Sequence, residues 1–447
     1  MERDLPLPCP LTFNLKRTAI FMSETILIVG GGGREHALAW KISQDSTKPV
    51  IFCAPGNAGT ATVATNLAIA ATDLDALTAW AAEHRPALTI IGPEAPLCAG
   101  LTDRLQALGL LVFGPNAEAA QMEGSKFFSK VIMGEAGVPT AASATFTEAA
   151  AARGYVHKVG APIVVKADGL AAGKGVTVCQ TVAEAEAAID EALVHKAFGA
   201  AGGRLVIEEF LEGEEASILA LVDGERIVLL ASSQDHKRIF DHDEGPNTGG
   251  MGAYSPAPVV TESLWPEIRA TVFENTLAAL RRRGITYRGV LYAGLMISPR
   301  GIKVLEFNCR FGDPECQAVL ARWDGDLLPA LKACAAGQLE ESMVRWKPSP
   351  SVCVVLTAGG YPGNYPTGDE IHGLDAANQI PGTVVFHAGT KLDGNRVLTA
   401  GGRVLGVTAI GETLREAIDR AYQAADKISF ANHHLRRDIG WRALDAR

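Results

Sequence analysis

No run of about eighteen apolar residues occurs in this chain, so no membrane-spanning helix is expected. Aromatic residues are scarce, 6% of 447, and there is no basic stripe: charged residues make up 20% and the net charge is −9. That balance argues against a general nucleic-acid binder, whose phosphate partner requires clustered cations. The one basic cluster, Arg281-Arg282-Arg283, follows an apolar-periodic helix over Val272 to Leu280 and precedes Gly284. Cations there suit the negative end of a helix and read as a solvated face. The eight cysteines form no CxxC pair and no paired metal spacing. Cys53, Cys98 and Cys179 lie in apolar runs as small core residues, and a reducing cytoplasm is the expected compartment. Residues 1–21 lack a continuous apolar core and contain three prolines, so they read as neither signal nor transit peptide. They are expected to be a disordered extension, with Met22 the biological start.

What is present is ample apolar content, 47%, enough for two to four domains with real cores. From 25 to about 115, strands (TILIVG, PVIFCA, LTIIG, LLVFG) alternate with helices (HALAWKIS, LDALTAWAAEH, GLTDRLQALG). This alternation predicts a doubly wound parallel sheet whose site loops follow the strand ends. Those loops are GGGGREH (30–36), APGNAGT (54–60) and GPEAP (92–96). A helical link, EGSKFFSKVIMGEAG, leads to a smaller α/β unit over about 140–210. The strands SILALVD, RIVLLAS, GVLYAGLMI and IKVLEFN then predict a larger antiparallel sheet, and 336–447 reads as a mixed α/β block. The expected domains are 22–124, 125–335 with a lid at about 140–210, and 336–447.

The stretch IVVKADGLAAGKGVTV (163–178) reads as strand, glycine-rich turn, strand. Gly169, Gly173 and Gly175 around Lys174 let backbone and ammonium approach a polyphosphate. A Walker A loop needs four residues between its glycines, a hydroxyl after the lysine and a following helix. Here three residues separate Gly169 from Gly173, Gly175 follows Lys174, and the next residues are β-branched. A phosphate-holding hairpin fits better than a P-loop, with an ordinary surface hairpin as the alternative. GGGGREH suggests dinucleotide binding at first, but the third glycine position is Glu35 and no ribose acid ends the second strand. A phosphate or phosphosugar site at the helix N-terminus remains, beside a purely structural glycine turn.

Strand VIEE (206–209) running into Phe210-Leu211 suits an adenine or a buried strand ending in solvated carboxylates. Glu306 and Asn308 share one strand face and offer hard oxygens to Mg²⁺ held mostly by phosphates. Arg310 is a planar cation able to hold a carboxylate or developing phosphoryl charge. The segment 233–256 reads as one long functional loop between two strands, with Asp235, His236, Lys237 and Arg238 clustered. Zinc at His236 and His242 is disfavoured, because no second ligand pair has metal spacing.

Together, GREHALAW, APGNAGTA, GPEAPL, EGSKFFSK, VVKADGLAAGKGV, VIEEFLEGEEAS, SQDHKR, GPNTGGMGAYSP, EFNCRFGDPE and RRDIGWRAL resemble the phosphoribosylamine–glycine ligase family of the ATP-grasp superfamily, from about Ile26 to Trp441. The resemblance implies ATP-dependent joining of glycine to phosphoribosylamine in purine synthesis through glycyl phosphate, by a cytoplasmic monomer using Mg²⁺ or Mn²⁺. It implies that Lys126 and Lys166 touch ATP phosphates under a lid carrying Gly173, Lys174 and Gly175. Glu208, Phe210 and Leu211 would hold adenine and Glu215 the ribose. Glu306 and Asn308 would bind metal. Gly32, Gly33, Arg34, Glu35, Gly56, Asn57, Ala58, Gly59, Pro93 and Glu94 would seat phosphoribosylamine. Asp235, Lys237, Arg310 and Asp313 would surround glycine and the acyl phosphate. The family's usual asparagine in the first loop is Gly31 here.

Overall fold

The computed structural model describes residues 24–170 and 175–445. The expectations for residues 1–21, for Met22 as the start, and for Gly173 and Lys174 lie outside the described residues. Five parallel strands form the first sheet, in the order Thr65–Asn66, Val50–Pro55, Thr25–Gly30, Leu88–Ile91, Val112–Phe113. The apolar run Ile26 to Val29 is fully buried because helices cover both faces of this sheet. Strand order reverses on either side of Thr25–Gly30, and the carboxyl ends of the three central strands deliver GGGGREH, APGNAGT and GPEAP to one edge. That edge is a topological switch point.

The lid is a four-stranded antiparallel sheet ordered Ser143–Phe146, Leu205–Glu209, Ile163–Ala167, Val176–Cys179. Helices Ala149–Val159 and Val182–Ile189 pack on it through Val156 and Ile189 against Val165 and Ile207. Lys166 pairs with Val176, so the strands that flank the glycine-rich stretch are antiparallel neighbours. The larger sheet runs Ile227–Leu229, Glu214–Asp223, Arg288–Ser298, Gly301–Asn308, all antiparallel as expected. Its register shifts where Gly294 pairs with Glu306 but Leu295 with Val304, leaving Leu305 as a bulge. The bulge frees the Leu305 carbonyl from the ladder, and Lys166 Nζ donates to it at 3.2 Å.

The segment 233–256 is not one long loop. Gln234–Asp235 and Gly252–Ser255 are strands of the C-terminal sheet, which continues through Ser351–Thr357, Arg403–Ile410 and Thr383–His387. Between them Arg238–Phe240 and Glu244–Asn247 form a small hairpin. The fully buried Arg436 clamps that hairpin, donating to Asp243 Oδ1 at 2.9 Å and to Asp438 Oδ1 at 2.8 Å. Asp235 and Lys237 are thus held by a sheet edge and a C-terminal clamp.

Candidate active site

The parallel sheet, the larger antiparallel sheet and the lid meet at a cleft of about 630 Å³. Arg34, Pro93 and Glu94 from the N-terminal loops line one side. Lys126, Lys166 and Gly175 line the lid side; Asp235, Lys237, Glu306, Asn308, Arg310 and Asp313 line the floor. Residues up to 279 apart in sequence, Arg34 and Asp313, supply one charged surface because each sits at or beside the end of a regular element. Lys126 opens the helix Lys126–Ala136, whose N-cap is Ser125. Asp168, unrecognised in the sequence, accepts from Phe127 N at 2.7 Å and Ser125 Oγ at 3.0 Å. That carboxylate ties the foot of the lid hairpin to the helix start.

Glu208 is 3% exposed and its carboxylate bridges Lys166 Nζ at 2.8 Å and Lys130 Nζ at 3.2 Å. Its side chain is therefore committed to aiming Lys166 and Lys130. Phe210 and Leu211 follow the strand end, half-buried, and are not among the residues lining the cleft. Glu215 pairs with Lys237 instead of standing free for a ribose. The resemblance implied ligand contacts for Glu208 and Glu215; in the structure both carboxylates pair with lysines.

Glu306 and Asn308 lie on one face of the strand that ends at Asn308. Burial alone would raise the Glu306 pKa, but Lys237, Lys166, Lys126 and Arg310 together lower it, so it stays ionised. Among the described residues no group of three or more His, Cys, Asp or Glu gathers in metal-binding geometry. Two protein oxygens inside a ring of cations suit a hard divalent ion completed by phosphates, not one caged by protein. Asp235 is pushed up to about 7 by burial, with Lys237 opposing and Glu315 adding repulsion. Glu315, which sequence reasoning quoted but did not assign, accepts from Tyr292 Oη at 2.6 Å at the back of the cleft.

The N-terminal loops are cross-linked tightly. Glu35 Oε1 accepts from Arg34 Nε at 2.7 Å and Oε2 from Gly32 N at 2.6 Å. A Cβ on Gly92 would sit 1.9 Å from Glu35 Oε1, which explains both that glycine and the failed dinucleotide fingerprint. The Asn57 amide donates to Gly31 O at 3.0 Å and His387 O at 2.7 Å; its oxygen accepts from Gly59 N at 2.8 Å and Thr60 N at 2.9 Å. All four hydrogen-bonding places are filled, so the Asn57 side chain braces the loops and is not free for substrate. Gly32, Gly33, Gly56, Ala58 and Gly59 sit in the same braced region, outside the cleft lining. At Gly31 a Cβ would lie 2.5 Å from Gly56 O, so glycine lets the first two loops close together.

His387, missed in the sequence, comes from the C-terminal sheet, and its backbone N donates to His36 Nδ1 at 2.8 Å. Burial and the neighbouring His387 lower the His36 pKa to about 3, so this nitrogen stays an acceptor. Asp313 gathers three elements: it accepts from Arg34 N at 3.2 Å and Gln317 Nε2 at 2.9 Å, with Arg403 Nη1 at 3.5 Å. Burial would raise its pKa, but Arg403 and Arg34 hold it below the usual carboxylate range. His236 and His242 do not form a zinc pair: His236 Nε2 accepts from Gly440 N at 3.0 Å and His242 is exposed.

Sequence models of three phosphoribosylglycinamide synthetase domains match in succession, the N domain over 24–123, the ATP-grasp (A) domain over 124–316 and the C domain over 351–442. Phosphoribosylamine–glycine ligase of Vibrio cholerae is 53% identical over 422 residues, 94% of this chain and 98% of that one. The Escherichia coli K12 protein of the same name is 52% identical over 424 residues, 94% and 99% of the two chains. The crystal structure of phosphoribosylamine–glycine ligase from Thermotoga maritima matches with a TM-score of 0.81 at 33% identity, covering 93% of this chain and 100% of that one. A biotin carboxylase domain from Hydrogenobacter thermophilus, 17% identical with a TM-score of 0.70 over 92% of this chain and 91% of that one, shares the fold. The chain belongs to the phosphoribosylglycinamide synthetase family.

Proposed function

We propose that this chain joins glycine to phosphoribosylamine at the expense of ATP, giving glycinamide ribonucleotide, ADP and phosphate in purine synthesis. The observation that carries the mechanism is the ring of Lys126, Lys166, Lys237 and Arg310 around Glu306 in a cleft that the N-terminal loops also enter. A carboxylate is a poor acyl donor, so it is activated first. A glycine carboxylate oxygen attacks the γ-phosphorus, the bond to the β-phosphate oxygen breaks, and ADP leaves. The amine nitrogen then attacks the carbonyl carbon of glycyl phosphate. The C–O bond to phosphate breaks, the amine loses a proton, and phosphate departs with an oxygen that came from glycine.

The first step brings two anions together. Lys126 and Lys166 neutralise the triphosphate from the lid side, and Arg310 meets charge as it moves to the acyl phosphate. Ionised Asp235 receives the glycine ammonium, while Lys237 and Arg310 face its carboxylate. Arg34, Pro93 and Glu94 face phosphoribosylamine. Glu306 and Asn308 would hold Mg²⁺ or Mn²⁺, which when bound supplies further neutralisation of the phosphates. Holding three reactants in register accounts for roughly 7–11 kcal/mol of barrier lowering, and closure of the lid keeps water from the acyl phosphate. Among the described residues no helix is long and apolar enough to cross a membrane; the reading adopted is a cytoplasmic monomer. An assay with ATP, glycine and fresh phosphoribosylamine tests it: ADP release that requires both glycine and phosphoribosylamine supports the reading, and ADP release indifferent to them overturns it.

A further inference from the structure

Glu123 has no substrate role in the mechanism above, yet both of its oxygens are engaged. Oε1 accepts from Arg310 Nη2 at 2.6 Å and Oε2 from the Cys309 backbone N–H at 2.8 Å. One carboxylate therefore fixes the arginine side chain and the backbone between Asn308 and Arg310. It is 8% exposed against 18% for Arg310, so the pair is largely withdrawn from water. Its place in the chain adds to this. Glu123 lies in the short helix Gln121–Gly124 at the last position matched by the N domain. It reaches 187 residues onward to the end of the larger sheet. Glu94, the other carboxylate at this arginine, behaves differently: it is 30% exposed and lies 3.4 Å from Arg310 Nε. A substrate can displace Glu94, whereas displacing Glu123 leaves a buried N–H unpaired. Without a fixed partner the guanidinium is also free to close on Asn308 Oδ1, which Nη2 already approaches at 3.4 Å.

We propose that Glu123 is a positioning residue for the ligase reaction. It holds the Arg310 guanidinium at the acyl phosphate and away from the Asn308 oxygen, and so links the N-domain junction to the charge-stabilising group. The inference rests on the ligase reading, and wild-type turnover measured alongside tests that reading separately. The test is Glu123→Gln, which keeps the shape but offers one acceptor where two are used, so that either Arg310 Nη2 or Cys309 N faces an amide NH2. It should lower kcat about 10–100-fold, as losses of supporting partners do, with KM for ATP and calorimetric ATP affinity within about twofold of wild type. Added to Arg310→Ala, it should change kcat by less than about twofold, because its effect passes through Arg310. A full additional loss in that background overturns the proposal, and so does a raised ATP KM with kcat intact. Should Glu123→Gln not fold, Glu123→Asp, shorter but still charged, carries the same comparison: a kcat loss that vanishes in Arg310→Ala supports the role, and one that persists refutes it.

Discussion

In the braced loops behind the N-terminal wall of the cleft the polar groups are already matched: Asn57 fills its four hydrogen-bonding places and Glu35 both oxygens, all to protein. On the lid wall they are not. Among the described residues Lys126 Nζ reaches only the Gly169 carbonyl, at 3.4 Å, and burial lowers its pKa. One wall is rigid before any ligand arrives, which suits a small sugar phosphate recognised by shape. The other holds an under-neutralised cation, Lys126, that a triphosphate completes. Preorganisation in the first case and stored charge demand in the second are two routes to the same end, a reacting geometry whose cost is met before chemistry begins.

Substitutions that remove charge should act on turnover or ATP, and those that loosen the loops should act on phosphoribosylamine. Arg310→Ala gives the largest expected effect, a kcat loss of about 10²–10³, as for removal of one preorganised donor; steady-state kinetics check it, and a loss below about tenfold contradicts its role. Lys126→Ala should raise KM for ATP about 10–100-fold, the worth of a charge-assisted contact, while KM for phosphoribosylamine stays put. Asp235 sharpens the comparison through pH. With its pKa raised to about 7, the free enzyme loses the ammonium partner below that value. The kcat/KM for glycine should therefore fall about tenfold per pH unit below 7, and a flat profile contradicts the assignment. The sign for stability is opposite. A raised folded-state pKa means that the stability present at acid pH is lost as pH rises from the ordinary carboxylate range through about 7. Asp235→Asn should flatten that slope in thermal melts. Asn57→Ala should have the smallest effect on catalysis: about 1–3 kcal/mol of stability from the unpaired groups, read in urea melts, and a raised KM for phosphoribosylamine with ATP KM unchanged.

The parallel sheet was legible because continuous apolar runs such as Ile26 to Val29 can only be buried on both faces. Lys166, Glu306, Asn308 and Arg310 were legible as a set because each stands in a motif at a strand end. The strands Gln234–Asp235 and Gly252–Ser255 were not, since two and four residues in a glycine-rich stretch carry no readable period. Partnership over distance was also hidden. Arg403, whose Nη1 donates to Asp313 O at 2.6 Å, is a lone arginine at a strand start, 90 residues away. Glu208 and Glu215 were visible as carboxylates, but nothing local announces that lysines hold them. Local chemistry shows in a sequence; which charge neutralises which depends on the packing of whole domains.

The most direct test of the central claim, activation of glycine as an acyl phosphate, is oxygen transfer. Glycine labelled in both carboxylate oxygens is turned over with ATP and phosphoribosylamine, and the released phosphate is examined by mass spectrometry. The account predicts that each phosphate carries a glycine-derived oxygen. Unlabelled phosphate formed together with product would contradict it.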